Sequence, residues 1–160
     1  MKYGASLARI LIASLLSSAC LFTVHAGGIE VMDDFDFGTW SPLMTRWKKE
    51  VPVCIWDEES RQISYRVVAS GINDGTRFRL RNDIGDNLPY QVEWRDDQIV
   101  GSGERLKANV GSTSVYSSYD NHRCENGATG HLVVTISNNI LQQATPGLYS
   151  DTLVLMISAI

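Results

Sequence analysis

The sequence predicts an all-β domain folded as a β-sandwich. Three observations carry that expectation. Short segments alternate apolar and polar residues with a period of two. Turn-forming clusters separate them at intervals of about ten residues or somewhat more, and no long helical pattern interrupts them.

The first 26 residues stand apart from this pattern. Lys2 and Arg9 lie ahead of an apolar stretch over residues 10–16 and 19–24, broken by Ser17 and Ser18. Val24-His25-Ala26 then presents a cleavage sequence, so residues 1–26 are expected to be an export signal and residues 27–160 the mature domain. The apolar stretch is short for a membrane span, and no second hydrophobic segment of about 20 residues follows. Cys20 follows Ser-Ser-Ala, but Ser17 stands where a lipoprotein signal wants a branched apolar residue, so lipidation is not the preferred reading.

Along the mature chain, Ile29, Val31, Phe35 and Phe37 share one parity and Glu30, Asp34 and Asp36 the other, as in a strand with one wet face. Residues 51–56 form a rigid β-branched run around Cys54. Ile63, Tyr65 and Val67 alternate with Ser64 and Arg66, Phe78 and Leu80 with Arg79 and Arg81, and Tyr90, Val92 and Trp94 with Gln91 and Glu93. Leu132, Val134 and Ile136 follow, and then residues 149–157. Asn73-Asp74-Gly75, residues 83–87, Gly101-Ser102-Gly103 and Thr145-Pro146-Gly147 supply the bends. Residues 43–49 are the one place where a helical turn or two is expected. The polar stretch 112–126 reads as a surface loop ending near Cys124.

Charge and cysteines bound the function classes. Two of the 14 basic residues and none of the 18 acidic ones lie in the leader, leaving 12 against 18 and a mature net charge of −6. Lys48-Lys49 is the one adjacent basic pair, so no clustered positive face for nucleic acid is expected. With Cys20 in the leader, Cys54 and Cys124 remain as a pair, expected to be oxidised after export. Closing a loop of that length stabilises by roughly 4.4 kcal/mol on chain entropy. Two cysteines 70 positions apart, without a Cys-x-x-Cys partner, make a poor metal set.

Catalytic chemistry is sparse. His122 lies in the polar stretch and His131 opens an apolar segment; no Gly-x-Ser-x-Gly elbow or phosphate-binding glycine loop is present. Asp33, Asp34 and Asp36 alternate across a strand, and Asp83 and Asp86 sit in a turn with Asn82 and Asn87. Neither group has calcium-loop spacing. No catalytic residue, metal or cofactor is therefore expected. Of the four tryptophans, Trp94 lies on an apolar face and reads as core. Trp40 and Trp47 are the better candidates for an exposed aromatic surface.

The last segment differs from the others. Residues 153–157 read Leu-Val-Leu-Met-Ile, apolar on both parities, followed by Ser158-Ala159-Ile160. Such a strand lies inside a sheet or between layers. Two explanations are open: another strand of the chain covers it, or its edge awaits a strand from another molecule.

With these residues in view, the chain resembles the spore coat protein U (SCPU) domain family, which includes subunits of archaic, Csu-type chaperone–usher pili. The resemblance rests on Phe35-Asp36-Phe37-Gly38, on Val53-Cys54 and the late Cys124. Its most specific part runs from Ala144-Thr145-Pro146-Gly147 through Leu148-Tyr149-Ser150-Asp151-Thr152 into the terminal strand. It implies an immunoglobulin-like sandwich lacking its final strand, with a Cys54–Cys124 disulfide. Leu153, Val154, Leu155, Met156, Ile157 and Ile160 would form the edge that receives a strand from a periplasmic chaperone and then from another pilin subunit. An outer-membrane usher is the further partner implied. The location implied is the periplasm in transit, then the cell surface or secretion, with adhesion and biofilm as settings.

One departure qualifies the resemblance. Polymerising members carry a donor extension ahead of the first strand, whereas here residues 27–34 alone lie between the leader and Phe35. The expectation is a subunit that accepts a strand and donates poorly, as a terminal or minor component would. The alternative from another class is a self-complete secreted binding module recognising carbohydrate or a surface; a small hydrolase using His131 is the third.

Overall fold

The computed structural model describes residues 27–41, 46–57, 62–97, 103–118, 125 and 127–160. The leader, Cys124 and His122 lie outside them. In chain order the strands are β1 (Gly27–Val31), β2 (Arg46–Asp57), β3 (Ile63–Gly71), β4 (Arg79–Arg81), β5 (Asn87–Pro89), β6 (Gln91–Asp96), β7 (Gly103–Arg105), β8 (Tyr116–Ser118), β9 (Gly130–Ser137) and β10 (Leu153–Ala159). One helical turn, α1 (Asn138–Leu141), follows β9.

Two antiparallel sheets pack face to face. One has the order β1-β2-β9-β6-β7 and the other β10-β3-β8; β4 and β5 form a separate hairpin. The alternation that marked the strands sets their inner faces. Val53 and Ile55 from β2, Val92 and Trp94 from β6, and Leu132, Val134 and Ile136 from β9 are buried in one cluster with Tyr65, Val67 and Ala69 of β3. Three rings lock the layers. Trp94 meets Tyr65 edge-on at 6.5 Å and Tyr116 of β8 at 6.1 Å. Gly130 makes room for this packing, because a Cβ there would lie 2.5 Å from the Trp94 ring.

The topology is that of an immunoglobulin sandwich, in which strands A, B, E and D share one sheet and C, F and G the other. Taken along the chain, β1, β2, β3, β6, β9 and β10 occupy places A to F. The order β1-β2-β9-β6 reproduces A-B-E-D, and β3-β10 reproduces C-F. Among the described residues, no strand stands in the place of G beside β10.

Several expectations are corrected. The first strand ends at Val31; Phe35 and Phe37 continue in extended chain without a ladder, half-buried against the core. No helical turn occupies Arg46–Lys49, which begins β2 and pairs with β9 from Arg46↔Ser137 onward. The polar stretch from 112 contains β8, with Ser112, Tyr116 and Ser118 buried. Its anchor lies on the preceding strand: Glu104 on β7 accepts bonds from the Thr113 hydroxyl at 2.8 Å, Ser114 N at 3.0 Å and Tyr116 Oη at 2.8 Å, and from Thr113 N. Burial works against the Glu104 charge, but these four bonds outweigh it and hold the carboxyl down at about 2.

Candidate functional site

The terminal strand β10 is short of a neighbour. It pairs antiparallel with β3 from Leu153↔Gly71 to Ala159↔Tyr65, and its opposite edge has no ladder partner among the described residues. Burial follows from this placement. On β3, Tyr65, with β10 on one side and β8 on the other, and Val67 and Ala69, flanked by β10 and by the backbone of Ser112 and Asn109, are at most 1% exposed. Leu153, Leu155 and Ile157 on β10 face the same core yet remain half-buried. Val154, at 37% exposure, and Met156, at 44%, point outward, and Ile160 is exposed just past the strand end.

The other sheet edges are protected and this one is not. β7 and β8 are three residues long, with Glu104 and Arg105 on β7, and β1 carries Glu30. β10 runs seven residues, about 23 Å, with no charge and no proline. Short length, charges and proline are the usual means of blunting an edge. Chemically, β10 offers one row of backbone donors and acceptors without a ladder partner among the described residues, beside apolar side chains that another strand would cover.

The residues leading into β10 hold it in place. Asp151 is the hub. Its Oδ2 accepts the Tyr90 hydroxyl at 2.7 Å, and its Oδ1 accepts Asn73 N at 3.0 Å and Thr152 N at 2.9 Å. Burial first, then the bond to the Asp151 carboxylate, pushes the Tyr90 hydroxyl well above its ordinary range, so it stays a donor. Ser150 pairs with Arg81 through both backbone bonds, at 2.9 and 3.1 Å, and its carbonyl also accepts Asn73 Nδ2 at 2.6 Å. Tyr149 Oη donates to Thr145 O at 3.0 Å, and Ile72 N donates to Thr152 O at 3.0 Å. Gly71 is required beside the hub: a Cβ there would sit 2.4 Å from Asp151 Oδ2.

The remaining singled-out residues are placed as follows. Tyr149 to Thr152 form the anchor just described, while Gly147 lies against Asn82, exposed at the surface. Gly38 takes φ +65°, a turn that suits glycine, after Phe37, whose ring lies 5.7 Å from Trp47. Cys54 is fully buried on β2. Trp40 and Trp47 do not form an exposed aromatic platform; both pack half-buried against the core, Trp47 because β2 starts earlier than the periodicity indicated and Trp40 from the chain ahead of it. His131 Nδ1 lies 2.8 Å from Asp97 Oδ1, an ion-pair geometry at the surface. Asn82 accepts Asp86 N at 2.7 Å across the β4–β5 turn, so that acidic cluster is explained by turn chemistry. The sequence reading missed the Asp151–Tyr90 hub; the aspartate stood in the quoted motif, but its partner lies 61 positions away.

No protein-family model matches the sequence, and no curated protein does. Among solved structures, the chain is similar to one from a chaperone–tip adhesin complex of CFA/I fimbriae, with a TM-score of 0.54 and 12% identity. That match covers 84% of this chain and 41% of the other, so this protein spans about two-fifths of the length of the chain it resembles. At this identity the likeness is one of fold. No helix among the described residues is long and apolar enough to cross a membrane.

Proposed function

We propose that this protein is an exported structural subunit of a surface fibre or coat, assembled when another polypeptide adds a strand along β10. The observation that carries the reading is the free, uncharged, seven-residue edge standing in the F position of an immunoglobulin sandwich with no G strand described beside it. A bare edge of this kind is a pairing template, and a chain that keeps one needs a partner to cover it. The fold likeness to a chain from a fimbrial chaperone–adhesin complex supports the same class, as do the SCPU-like residues and the leader-like start.

The partners in this reading are a periplasmic chaperone, an outer-membrane usher and other pilin subunits, and Cys54–Cys124 is the disulfide of the oxidised chain. The pairing of Gly27–Val31 with Val53–Asp57 supports an acceptor, terminal or minor position, since those residues are already committed to their own sheet. Function is association, without turnover.

The test is a thermal melt of the full-length chain, expressed for export and oxidised, with and without excess peptide from the N-terminal segment of a pilin encoded beside its gene. A large rise in melting temperature with slow peptide release is expected. A stable monomer indifferent to the peptide would refute the reading and favour a self-complete binding module.

A further inference from the structure

The geometry points to a partner strand that is apolar on both faces where it lies against Val154 and Met156, instead of alternating apolar and polar residues throughout. The inference rests on the proposed strand-accepting role and specifies the chemistry of the strand accepted.

A strand added to the free edge of β10 has two sets of side chains. One set faces the core beside Leu153, Leu155 and Ile157, and must be apolar, because these three are only half covered. The other set faces outward and lies about 5 Å from the outward side chains of β10, Cβ to Cβ. On most one-sided sheets that outward row is polar. Here it is Val154, then Met156, then Ser158. On their β3 side these residues are flanked by Ser70, Val68 and Arg66. Val68, half-buried, thus extends the apolar outer row to a second strand, and Gly111 beside it adds no side chain over it: a Cβ there would lie 3.9 Å from Val68 Cγ2. Val110 adds further exposed apolar surface in the same connection.

The outward row therefore changes character along its length. Opposite Val154 and Met156, an apolar side chain gains a cross-strand contact that a serine lacks; opposite Ser158, flanked by Arg66, a polar one suffices. The seven residues of β10 present two adjacent outward sites that favour an apolar partner and a third that does not. That asymmetry gives the edge a means of choosing among strands that all satisfy the inward alternation, and of fixing their register, since a slip by two residues places a polar side chain against Met156.

The test uses synthetic nine-residue peptides with valine at alternate positions and lysine at both termini. In one, all intervening positions are serine; in the other, two adjacent intervening positions are valine. Release rates from the full-length exported chain are compared with those from its Val154→Ser/Met156→Ser double variant, whose changes are solvent-facing. The doubly apolar peptide is expected to leave the unmodified chain roughly three- to ten-fold more slowly than the serine peptide, and the variant to lose most of that difference. Equal release of both peptides, or a preference that survives in the variant, overturns the inference while leaving strand acceptance intact. Capture of neither peptide overturns strand acceptance itself.

Discussion

Replacing Asp151 by alanine removes three acceptor contacts at the point where β10 begins. Tyr90 Oη, Asn73 N and Thr152 N all lose their carboxylate. The Tyr90 hydroxyl matters most, because Tyr90 is 7% exposed and its ring is held against Phe78 at 5.5 Å, so it cannot swing out to water. A bond to a charged acceptor contributes about 1.5–3 kcal/mol, and each amide bond about 1 kcal/mol. The two amides lie on exposed backbone where water replaces the acceptor, which lowers the total to about 2–3 kcal/mol. For a domain of this size, that corresponds to a fall in melting temperature of roughly 6–12 °C. Asp151→Asn keeps an oxygen for the two amides but puts an NH2 where the Tyr90 hydroxyl donates, so it should lose more than half as much. The assay is a circular-dichroism melt, paired with amide hydrogen exchange along Leu153–Ala159. Exchange in β10 should accelerate more than in β9, since the hub anchors one strand and not the core. A melting temperature within about 2 °C of the parent, or uniform acceleration across both sheets, would refute the assignment of Asp151 as the anchor of β10.

Other outcomes are expected from the same structure. Glu104 has its carboxyl held near 2 in the folded chain, against an ordinary 4.5, so its contribution is present above pH 4.5 and lost as pH falls toward 2. Discounted for its exposure, the loss is about 1–2 kcal/mol, and Glu104→Gln should flatten that acid limb in urea titrations across pH 2–5. Gly71→Ala places a methyl 2.4 Å from Asp151 Oδ2 and should mimic Asp151→Ala in melting experiments. Trp94→Ala empties the centre of the Tyr65–Trp94–Tyr116 cluster and should cost about 3–5 kcal/mol, measured by urea unfolding. Leu155→Lys puts a charge on the half-buried inward row of β10 and should abolish peptide capture while leaving the melting temperature of the free chain within a few degrees.

How far the sequence reached depended on how local each signal was. Tyr90, Val92 and Trp94 alternate within one strand, and they are buried as that alternation requires. The terminal run, apolar on both parities, raised the question of a missing neighbour, and the topology places β10 at a sheet edge. The errors fall where a distant partner decides. Nothing near Tyr116 shows that Glu104 will cap its segment, so a polar stretch concealed a buried strand. Nothing near Trp47 shows that Ile136 will pair with it and extend β2 backward into Arg46–Lys49. Helix α1 escaped because four residues show no helical period, and Leu141 alone of them is buried. The Asp151 hub was half legible: its motif was visible, but the hydroxyl it holds was not.

The pairing of β10 with β3 also has a kinetic side. Leu153 meets Gly71 from 82 positions away, and Ala159 meets Tyr65 from 94. Contacts of such long range form late, because the intervening chain must first be closed into a loop before any bond compensates. Until then β3 is itself a bare edge on the β10 side, its backbone unpaired along the seven residues from Tyr65 to Gly71. A chain whose β10 has not yet docked has its smaller sheet open one strand earlier than in the finished domain. A foreign strand arriving at that stage would compete with β10 for β3 and trap a misassembled chain.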